Sequence, residues 1–317
     1  MFKLCISLLL AGIATIAQAQ GTFPDKPIHF IFPYPAGGTG DSIMRIVADM
    51  LGPELKGSVI VENRPGASGT VGTRYVADSA PNGYTLAMTS NGTHAAVMSL
   101  FKAPGYDPVK SFTHIGLFAS LPWMLVVRSE FPASSVTELV AYGRANPGKL
   151  TMPYYSSSSR LPVYLLRSAG KFQLTEIPYK GAGQILPDLY SGQLQAAFFP
   201  MEIAMAQAQG GKVRILGSAS EKRLPGAPNV PTIGEQLPGV VLTSWMGMGA
   251  PAGTPKEVVA KLNAALASVV AKPAFRERLQ QIGSDVLVST PELVEARIKE
   301  EMTTWSKFVK DAGIQPE

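Results

Sequence analysis

The sequence is poor in the residues that most often carry redox and metal chemistry. Its 317 residues include a single cysteine, Cys5, and three histidines, His29, His94 and His114. Cys5 has no second cysteine with which to form a disulfide. The histidines lack the spacing of a zinc site, and no nucleotide-binding glycine motif is present. We therefore expect neither a metal nor a cofactor.

Charge is also scarce, since 16% of the residues are charged against about 25% in an average soluble chain. The 28 Lys and Arg residues exceed the 23 Asp and Glu residues and give a net charge of +5, but no more than two basic residues are adjacent. This scatter does not predict a nucleic-acid-binding surface. A hydrophobic content of 46% excludes a disordered chain, and the length favours about two domains.

The N-terminus has the three regions of a secretory signal. Met1-Phe2-Lys3 is short and basic, residues 4–17 are almost entirely apolar, and Ala17-Gln18-Ala19 supplies a small-x-small cleavage site. We predict a signal peptide over residues 1–19, cleaved after Ala19, and a periplasmic protein. The alternative is a buried N-terminal helix. No later stretch reaches the roughly 18 consecutive apolar residues of a transmembrane helix.

Short apolar runs alternate with helical patterns along the rest of the chain. The first run is followed by a glycine-rich loop and then by apolar residues at the spacing of one helix face, from Ile43 to Leu51. Repetition of this order predicts parallel sheets with helices on both faces. The predicted strands cover residues 28–32, 59–61, 84–88, 125–127, 150–154, 174–178, 194–199 and 213–217.

Two α/β units are expected, one central and one built from both ends of the chain. We place the first lobe at residues 20–126 plus 227–317 and the second lobe at 127–226. The proline-rich segment 225–238 is a connection, and helices are predicted to begin near Pro255 and Pro291. Ligands of such sheets bind where the carboxyl ends of strands converge, which predicts a cleft between the lobes.

The most specific local feature is the loop PYPAGGTGD at residues 33–41, between a strand and a helix. Its glycines let main-chain N–H groups approach a ligand, and a helix N-terminus favours an anion. This pattern predicts a carboxylate cradle. The alternative is an ordinary strand-to-helix turn in which Asp41 or Ser42 caps the helix.

Two further polar loops, at residues 63–70 and 90–94, follow other predicted strands. Together with the first loop they predict a convergent polar rim. Ser68, His94 and Asp41 could be written as a Ser-His-Asp triad, but no nucleophile motif surrounds Ser68. We therefore expect no catalytic residues.

Seven segments, spread in order over the mature chain, resemble the Bug-type solute receptors of tripartite tricarboxylate transporters. They are PYPAGG (33–38), VENRPG (61–66), PNGYTL (81–86), YDP (106–108), NPGKL (146–150), PYKG (178–181) and APAGTP (250–255). The resemblance implies an α/β, two-lobed periplasmic-binding-protein (Venus-flytrap) fold. Each lobe would be a mostly parallel sheet flanked by helices, with the ligand cleft between the lobes.

The resemblance also implies which residues bind a small carboxylate ligand. From the first lobe they are Tyr34, Ala36, Gly37, Gly38, Thr39, Asp41, Ser68, Asn91, Thr93 and His94. From the second lobe they are Ser156, Ser157, Ser158, Arg160, Tyr179, Lys180 and Phe199.

The second lobe departs from the family pattern at two places. Arg160 stands where many members have histidine, and it could clamp a second carboxylate or be only a solvated surface residue. Phe199 replaces a frequent aspartate, which removes a partner for an amino group on the ligand. With Tyr34, Tyr154 and Tyr155 it favours an aromatic mono- or dicarboxylate, unless Phe198 and Phe199 only pack in the core.

The leading hypothesis is a monomeric receptor that captures a carboxylate by lobe closure and passes it to membrane permease subunits of a tripartite tricarboxylate-type transporter. A second hypothesis keeps the binding role but assigns the receptor to a membrane signalling protein. A third is an exported serine hydrolase that uses Ser68. Turnover would distinguish the hydrolase, because a receptor gives only saturable binding.

Overall fold

The computed structural model describes residues 23–311 and 313–316. The predicted signal segment 1–19 and its cleavage site lie outside these residues. Among the described helices, none is by itself long and apolar enough to cross a membrane.

The first lobe begins with alternating strands and helices, as the pattern of apolar residues predicts. Strand β1 is buried at four of its five positions, and the helix after it buries Ile43, Val47 and Leu51 on one face. The elements are β1 (Ile28–Phe32), α1 (Thr39–Leu55), β2 (Val59–Asn63), α2 (Thr70–Ala77), β3 (Thr85–Ser90), a π-helical turn (Asn91–Ala96) and α3 (Val97–Leu100).

One long strand, β4 (Phe112–Arg128), passes through both lobes. Its residues 112–122 pair with β9 (Thr243–Pro251) in the first lobe, whereas residues 123–128 pair with strands of the second lobe. The sequence predicted only its end at 125–127, because Gly116 and Pro122 interrupt the apolar run. The first crossing between the lobes therefore lies at Pro122–Trp123, and not after residue 126 as the sequence suggested.

The second lobe contains the four short strands that the sequence predicted, together with the helices between them. They are α4 (Val136–Ala145), β5 (Thr151–Tyr154), α5 (Ser157–Gly170), β6 (Thr175–Pro178), α6 (Ile185–Ser191), β7 (Ala196–Pro200), α7 (Met201–Gln209) and β8 (Val213–Ser218). Strands β7 and β8 pair with β4, and β5 pairs with β6.

The chain returns to the first lobe later than the sequence suggested. Ile233 and Val240 are fully buried in the core of the second lobe with Leu125 and Phe198. The structure thus places residues 227–242 with the second lobe, whereas the sequence analysis assigned them to the first. The returning elements are β9, α8 (Lys256–Ala271), α9 (Pro273–Gln281), β10 (Asp285–Val286) and α10 (Pro291–Asp311).

The architecture is the two-lobed α/β fold that the sequence predicted. In the first lobe the strand order is β10-β4-β9-β3-β1-β2. Strands β1, β2 and β3 are parallel to one another. Strand β9 is antiparallel to its two neighbours, β3 and β4, because β9 enters the first lobe from the second whereas β4 leaves it. The parallel strands direct their carboxyl ends and loops toward one edge.

A separate apolar cluster joins the two lobes at one side. The cluster contains Ala96 of the π-helical turn in the first lobe, and Leu161 and Tyr164 of α5 in the second. Trp305 and Phe308 of α10 belong to the same cluster. The rings of Tyr164 and Phe308 lie 3.8 Å apart, and those of Trp305 and Phe308 lie 5.2 Å apart. Helix α10 therefore supports the elements of both lobes that meet at the cleft.

Trp305→Ala is expected to lower the free energy of unfolding by about 3–5 kcal/mol, because it removes a buried indole from this cluster. Lys307→Ala, on the same helix but with a side chain 81% exposed, is the control and should change it by less than about 0.5 kcal/mol. Chemical denaturation measures both. A loss below about 1 kcal/mol for Trp305→Ala would show that the cluster does not hold the lobes together.

Candidate functional site

The two lobes enclose a cavity of about 500 Å³. Its walls come from the loop after β1, the turn after β3 and the crossing strands, and from second-lobe loops at the start of α5, after β6 and after β7. The residues proposed from the sequence that line it are Tyr34, Ala36, Gly37, Gly38, Thr39, Asn91, Ser156, Ser158 and Lys180.

The glycine-rich loop presents backbone to this cavity. Gly37 has a φ of +90°, which an L side chain rarely adopts, and a Cβ on Gly37 or Gly38 would meet no atom within 4 Å. Gly38 is the N-cap residue of α1, and because glycine has no side chain it cannot accept a hydrogen bond from the first N–H groups of the helix. The N–H groups of Thr39 and Gly40 therefore have no acceptor within the helix.

Thr39 adds a side-chain donor at the same point. Its residue is 4% exposed, and its Oγ1 finds no hydrogen-bond partner among the described residues. A buried hydroxyl without a partner is unfavourable. A ligand oxygen at the start of α1 would accept from the free N–H groups, and the Thr39 hydroxyl lies beside them in the cavity wall.

Asp41 does not line the cavity, although the sequence analysis proposed it as a ligand contact. Its carboxylate accepts hydrogen bonds from the Gly37 N–H at 3.1 Å, from Asn63 Nδ2 at 2.8 Å and from Arg45. Burial opposes ionisation, but the bonds from Asn63, Arg45 and Gly37 outweigh it and lower the pKa of Asp41. Asp41 therefore positions the loop.

Aromatic and apolar side chains form much of the cavity wall. Burial raises the pKa of Tyr34 to about 12 and also raises the pKa of Tyr155, so both phenols are neutral at physiological pH. The ring of Tyr155 lies 6.2 Å from that of Trp123. Trp245 and Leu121 complete this surface, which suits the apolar body of a ligand.

Most polar groups of the serine loop, residues 156–159, form hydrogen bonds within the first turn of α5. The Ser156 hydroxyl accepts from the Ser159 N–H and the Ser159 hydroxyl accepts from the Ser156 N–H, which caps α5. Ser158 instead reaches across the cleft to Asn91. Ser157 begins α5, and its side chain lies outside the described residues.

Lys180 and Glu202 bring charge to the second-lobe wall. Neither takes part in an ion pair among the residues that the structure describes. Lining residues that the sequence did not predict include Glu202, Trp123, Ser244 and Trp245. For Glu202, its position just after the end of β7 was the available signal, because ligands bind at strand ends.

Arg160 and Tyr179 do not line the cavity, contrary to the sequence-based assignment. Arg160 Nε lies 2.6 Å from a Glu176 carboxylate oxygen, and its guanidinium lies over the Tyr154 ring. The Tyr179 hydroxyl donates to the carboxylate of Asp188. Each polar group therefore has a partner inside the second lobe.

Phe199 is fully buried and also lies outside the cavity. Strand β7 separates two apolar clusters, so Phe198 packs into one and Phe199 into the other. Phe198 and Phe199 are therefore core residues and not ligand contacts, which was the alternative in the sequence analysis. The inference of a ligand without an amino group loses this support, because Glu202 supplies a carboxylate nearby in the chain.

Ser68, Thr93 and His94 lie away from the cavity lining as well. Ser68 is exposed, whereas Thr93 Oγ1 lies 3.0 Å from Nδ1 of fully buried His94. The His94 ring packs 4.7 Å from that of Phe112. In the described part of the chain, no hydrogen bond joins Ser68 to His94 or Asp41, and no three His, Cys, Asp or Glu side chains group as metal ligands.

Comparison with known families gives one match that covers most of the chain. The family model described as tripartite tricarboxylate transporter family receptor matches residues 43–314. Protein BugT of Bordetella pertussis is 30% identical over 316 residues, which cover 98% of this chain and 96% of BugT.

Two solved structures with bound ligands are similar over nearly their full length. A Rhodopseudomonas palustris protein with adipate is 30% identical with a TM-score of 0.87, covering 93% of this chain and 100% of that one. MatC from the same organism, with bound malate, is 32% identical with a TM-score of 0.83, covering 90% and 100%.

Asp41→Ala should lower the free energy of unfolding by about 2 kcal/mol, since it removes charge-assisted hydrogen bonds to a side chain that is 6% exposed. The matched control is Asp49→Ala on the same helix, whose side chain is 66% exposed and pairs with Arg278; it should cost less than about 0.5 kcal/mol. Urea denaturation compares the two. Equal losses would contradict the positioning role of Asp41.

Stability should also fall in mild acid. Burial and the neighbouring His114 hold the pKa of His94 well below its usual value of 6.5. Below pH 6.5 the unfolded chain therefore binds a proton that the folded chain rejects, which costs up to about 1.4 kcal/mol per pH unit.

The slope of unfolding free energy between pH 7.5 and 5.5 tests this expectation. His94→Asn should reduce the slope, and the part that remains should come from His114, because burial lowers its pKa as well. An unaltered slope in His94→Asn would assign the acid sensitivity to other groups.

Proposed function

This chain belongs to the tripartite tricarboxylate transporter receptor family, and from this premise we propose that it binds a small carboxylate with an apolar body in its interlobe cleft. The family is one of substrate-binding receptors and not of enzymes. After removal of residues 1–19 the receptor acts in the periplasm. There it delivers the ligand to the permease subunits of a tripartite tricarboxylate-type transporter.

The observation that carries the proposal is the unsatisfied donor set at the start of α1. The Thr39 hydroxyl is buried without a partner, and the uncapped helix N-terminus beside it opens on the cavity through two glycines. A helix N-terminus carries partial positive charge, and charge-assisted hydrogen bonds to an anion are about twice as strong as neutral ones. A carboxylate at the start of α1 is the ligand group that best matches these donors.

The remaining walls favour a ligand whose body is apolar or aromatic. Trp123, Tyr155 and Leu121 offer flat and apolar surface, and a cavity of about 500 Å³ suits a small molecule. The two similar proteins whose structures contain adipate and malate support a carboxylate as the ligand of this chain.

Binding acts by shifting the equilibrium between open and closed lobes. The loop of α1 belongs to the first lobe, whereas Tyr155 and Lys180 belong to the second, so one ligand contacts both. Only the difference in affinity between the open and closed forms drives closure. Closure then gives the permease a surface that distinguishes loaded from empty receptor.

Residues 20–317 should gain thermal stability from aliphatic or aromatic carboxylates, by roughly 2.7 kcal/mol at 100 times the dissociation constant. Thr39→Val should raise the dissociation constant at least tenfold by calorimetry, without loss of stability, because its hydroxyl has no partner in the protein. Thr73→Val is the control. Its hydroxyl donates to the Gly69 carbonyl oxygen at 2.9 Å, so it should lose about 1 kcal/mol of stability and no affinity.

Absence of binding to every carboxylate tested would refute the proposed function. Unchanged affinity in Thr39→Val, with binding retained in the parent, would instead move the carboxylate away from α1.

A further inference from the structure

Four side chains form a hydrogen-bonded chain across the floor of the cleft. Ser158 Oγ lies 3.1 Å from Asn91 Oδ1, Asn91 Nδ2 lies 3.3 Å from Ser244 Oγ, and Trp123 Nε1 lies 2.7 Å from Ser244 Oγ. All four residues line the cavity. Asn91, Trp123 and Ser244 are at most 3% exposed, so their polar groups depend on partners within the protein or in the cavity.

Counting hydrogens along this chain leaves one hydroxyl hydrogen unused. The Trp123 N–H can only donate, so Ser244 accepts from it. Asn91 offers its carbonyl oxygen to one serine and its amide group to the other, whichever way the amide is turned. The serine that accepts from the amide keeps a free O–H.

The assigned orientation places that free hydrogen on Ser244. Its oxygen already accepts from Asn91 and Trp123, and no oxygen among the described residues accepts from it. Both lone pairs are thus occupied while the donor is free. The group facing the cavity can give a hydrogen bond but cannot receive one.

Ser244 is also too far from the start of α1 to serve the same carboxylate. It lies on β9, and β3 separates β9 from β1, whose end carries the glycine-rich loop. Two strand spacings amount to about 10 Å, which is several times the width of one carboxylate.

We propose that Ser244, with Asn91, binds a second polar group on the ligand. Because Ser244 can only donate here, this group must be a hydrogen-bond acceptor, such as a carboxylate or carbonyl oxygen. A group that can only donate, such as an ammonium, meets donors at Ser244 and Asn91 and is not bound at this position, which leaves Glu202 as the carboxylate that could hold it elsewhere in the cavity. The proposal rests on the proposed function, since it assumes that a first carboxylate occupies the start of α1. Because Ser158 belongs to the second lobe, an acceptor bound here also strengthens the link between the lobes.

Calorimetry with matched ligands tests the proposal. The probes are straight-chain monocarboxylates of four to eight carbons, the corresponding α,ω-dicarboxylates and the ω-amino acids, with benzoate and terephthalate as an aromatic pair. The best-fitting dicarboxylate should bind at least tenfold more tightly than its monocarboxylate and than the matching ω-amino acid.

Ser244→Ala should reduce the dicarboxylate preference to less than threefold while monocarboxylate binding stays. Ser244→Thr keeps the hydroxyl and should retain the preference, which separates the hydrogen bond from any effect on folding. Lys180→Met controls for a simple charge effect, because Lys180 brings a positive charge to the second-lobe wall. Thr39→Val should weaken both ligand classes equally.

Equal binding of mono- and dicarboxylates by the parent protein would overturn the proposal and leave the proposed function intact. A preference lost in Lys180→Met but kept in Ser244→Ala would also overturn it, as would equal weakening of both classes by Ser244→Ala. Failure of every carboxylate to bind would refute the proposed function itself.

Discussion

The carboxylate of Asp41 is the constraint on which the cleft depends. It holds the Gly37 N–H, the Asn63 amide and Arg45 together, and so fixes the loop between β1 and α1. Because Asp41 bonds to these groups, it does not cap α1, and the helix begins at the cavity wall with Thr39 and Gly40 among the lining residues. An anion at this point would accept hydrogen bonds for which the helix itself supplies no acceptor.

The same cleft depends on continuity between the lobes. Strand β4 begins in the sheet of the first lobe and ends in that of the second, and β9 returns beside it. Trp123 and Ser244 lie where these strands cross, and the α10 cluster supports one side. The Ser158–Asn91 hydrogen bond then joins the lobes across the cleft, whereas the Trp123–Ser244 bond joins the two crossing strands.

Much of this arrangement follows from local sequence. The apolar periods predicted β1, α1 and the short strands of the second lobe, and the glycines at 37 and 38 predicted a loop open to an anion. Partners distant in the chain could not be read that way. Glu176 engages Arg160 from 16 residues away, and Trp123 meets Ser244 across 121 residues. Phe199 misled the sequence analysis because strand β7 is buried on both faces, so alternation gave no signal of which side met the cleft.

A crystal structure of the mature chain with its tightest-binding carboxylate tests the central claim most directly. The account predicts closed lobes, with one ligand carboxylate within hydrogen-bonding distance of the Thr39 hydroxyl and the N–H groups at the start of α1. A carboxylate held only by second-lobe side chains such as Lys180, with the glycine-rich loop empty, would contradict it.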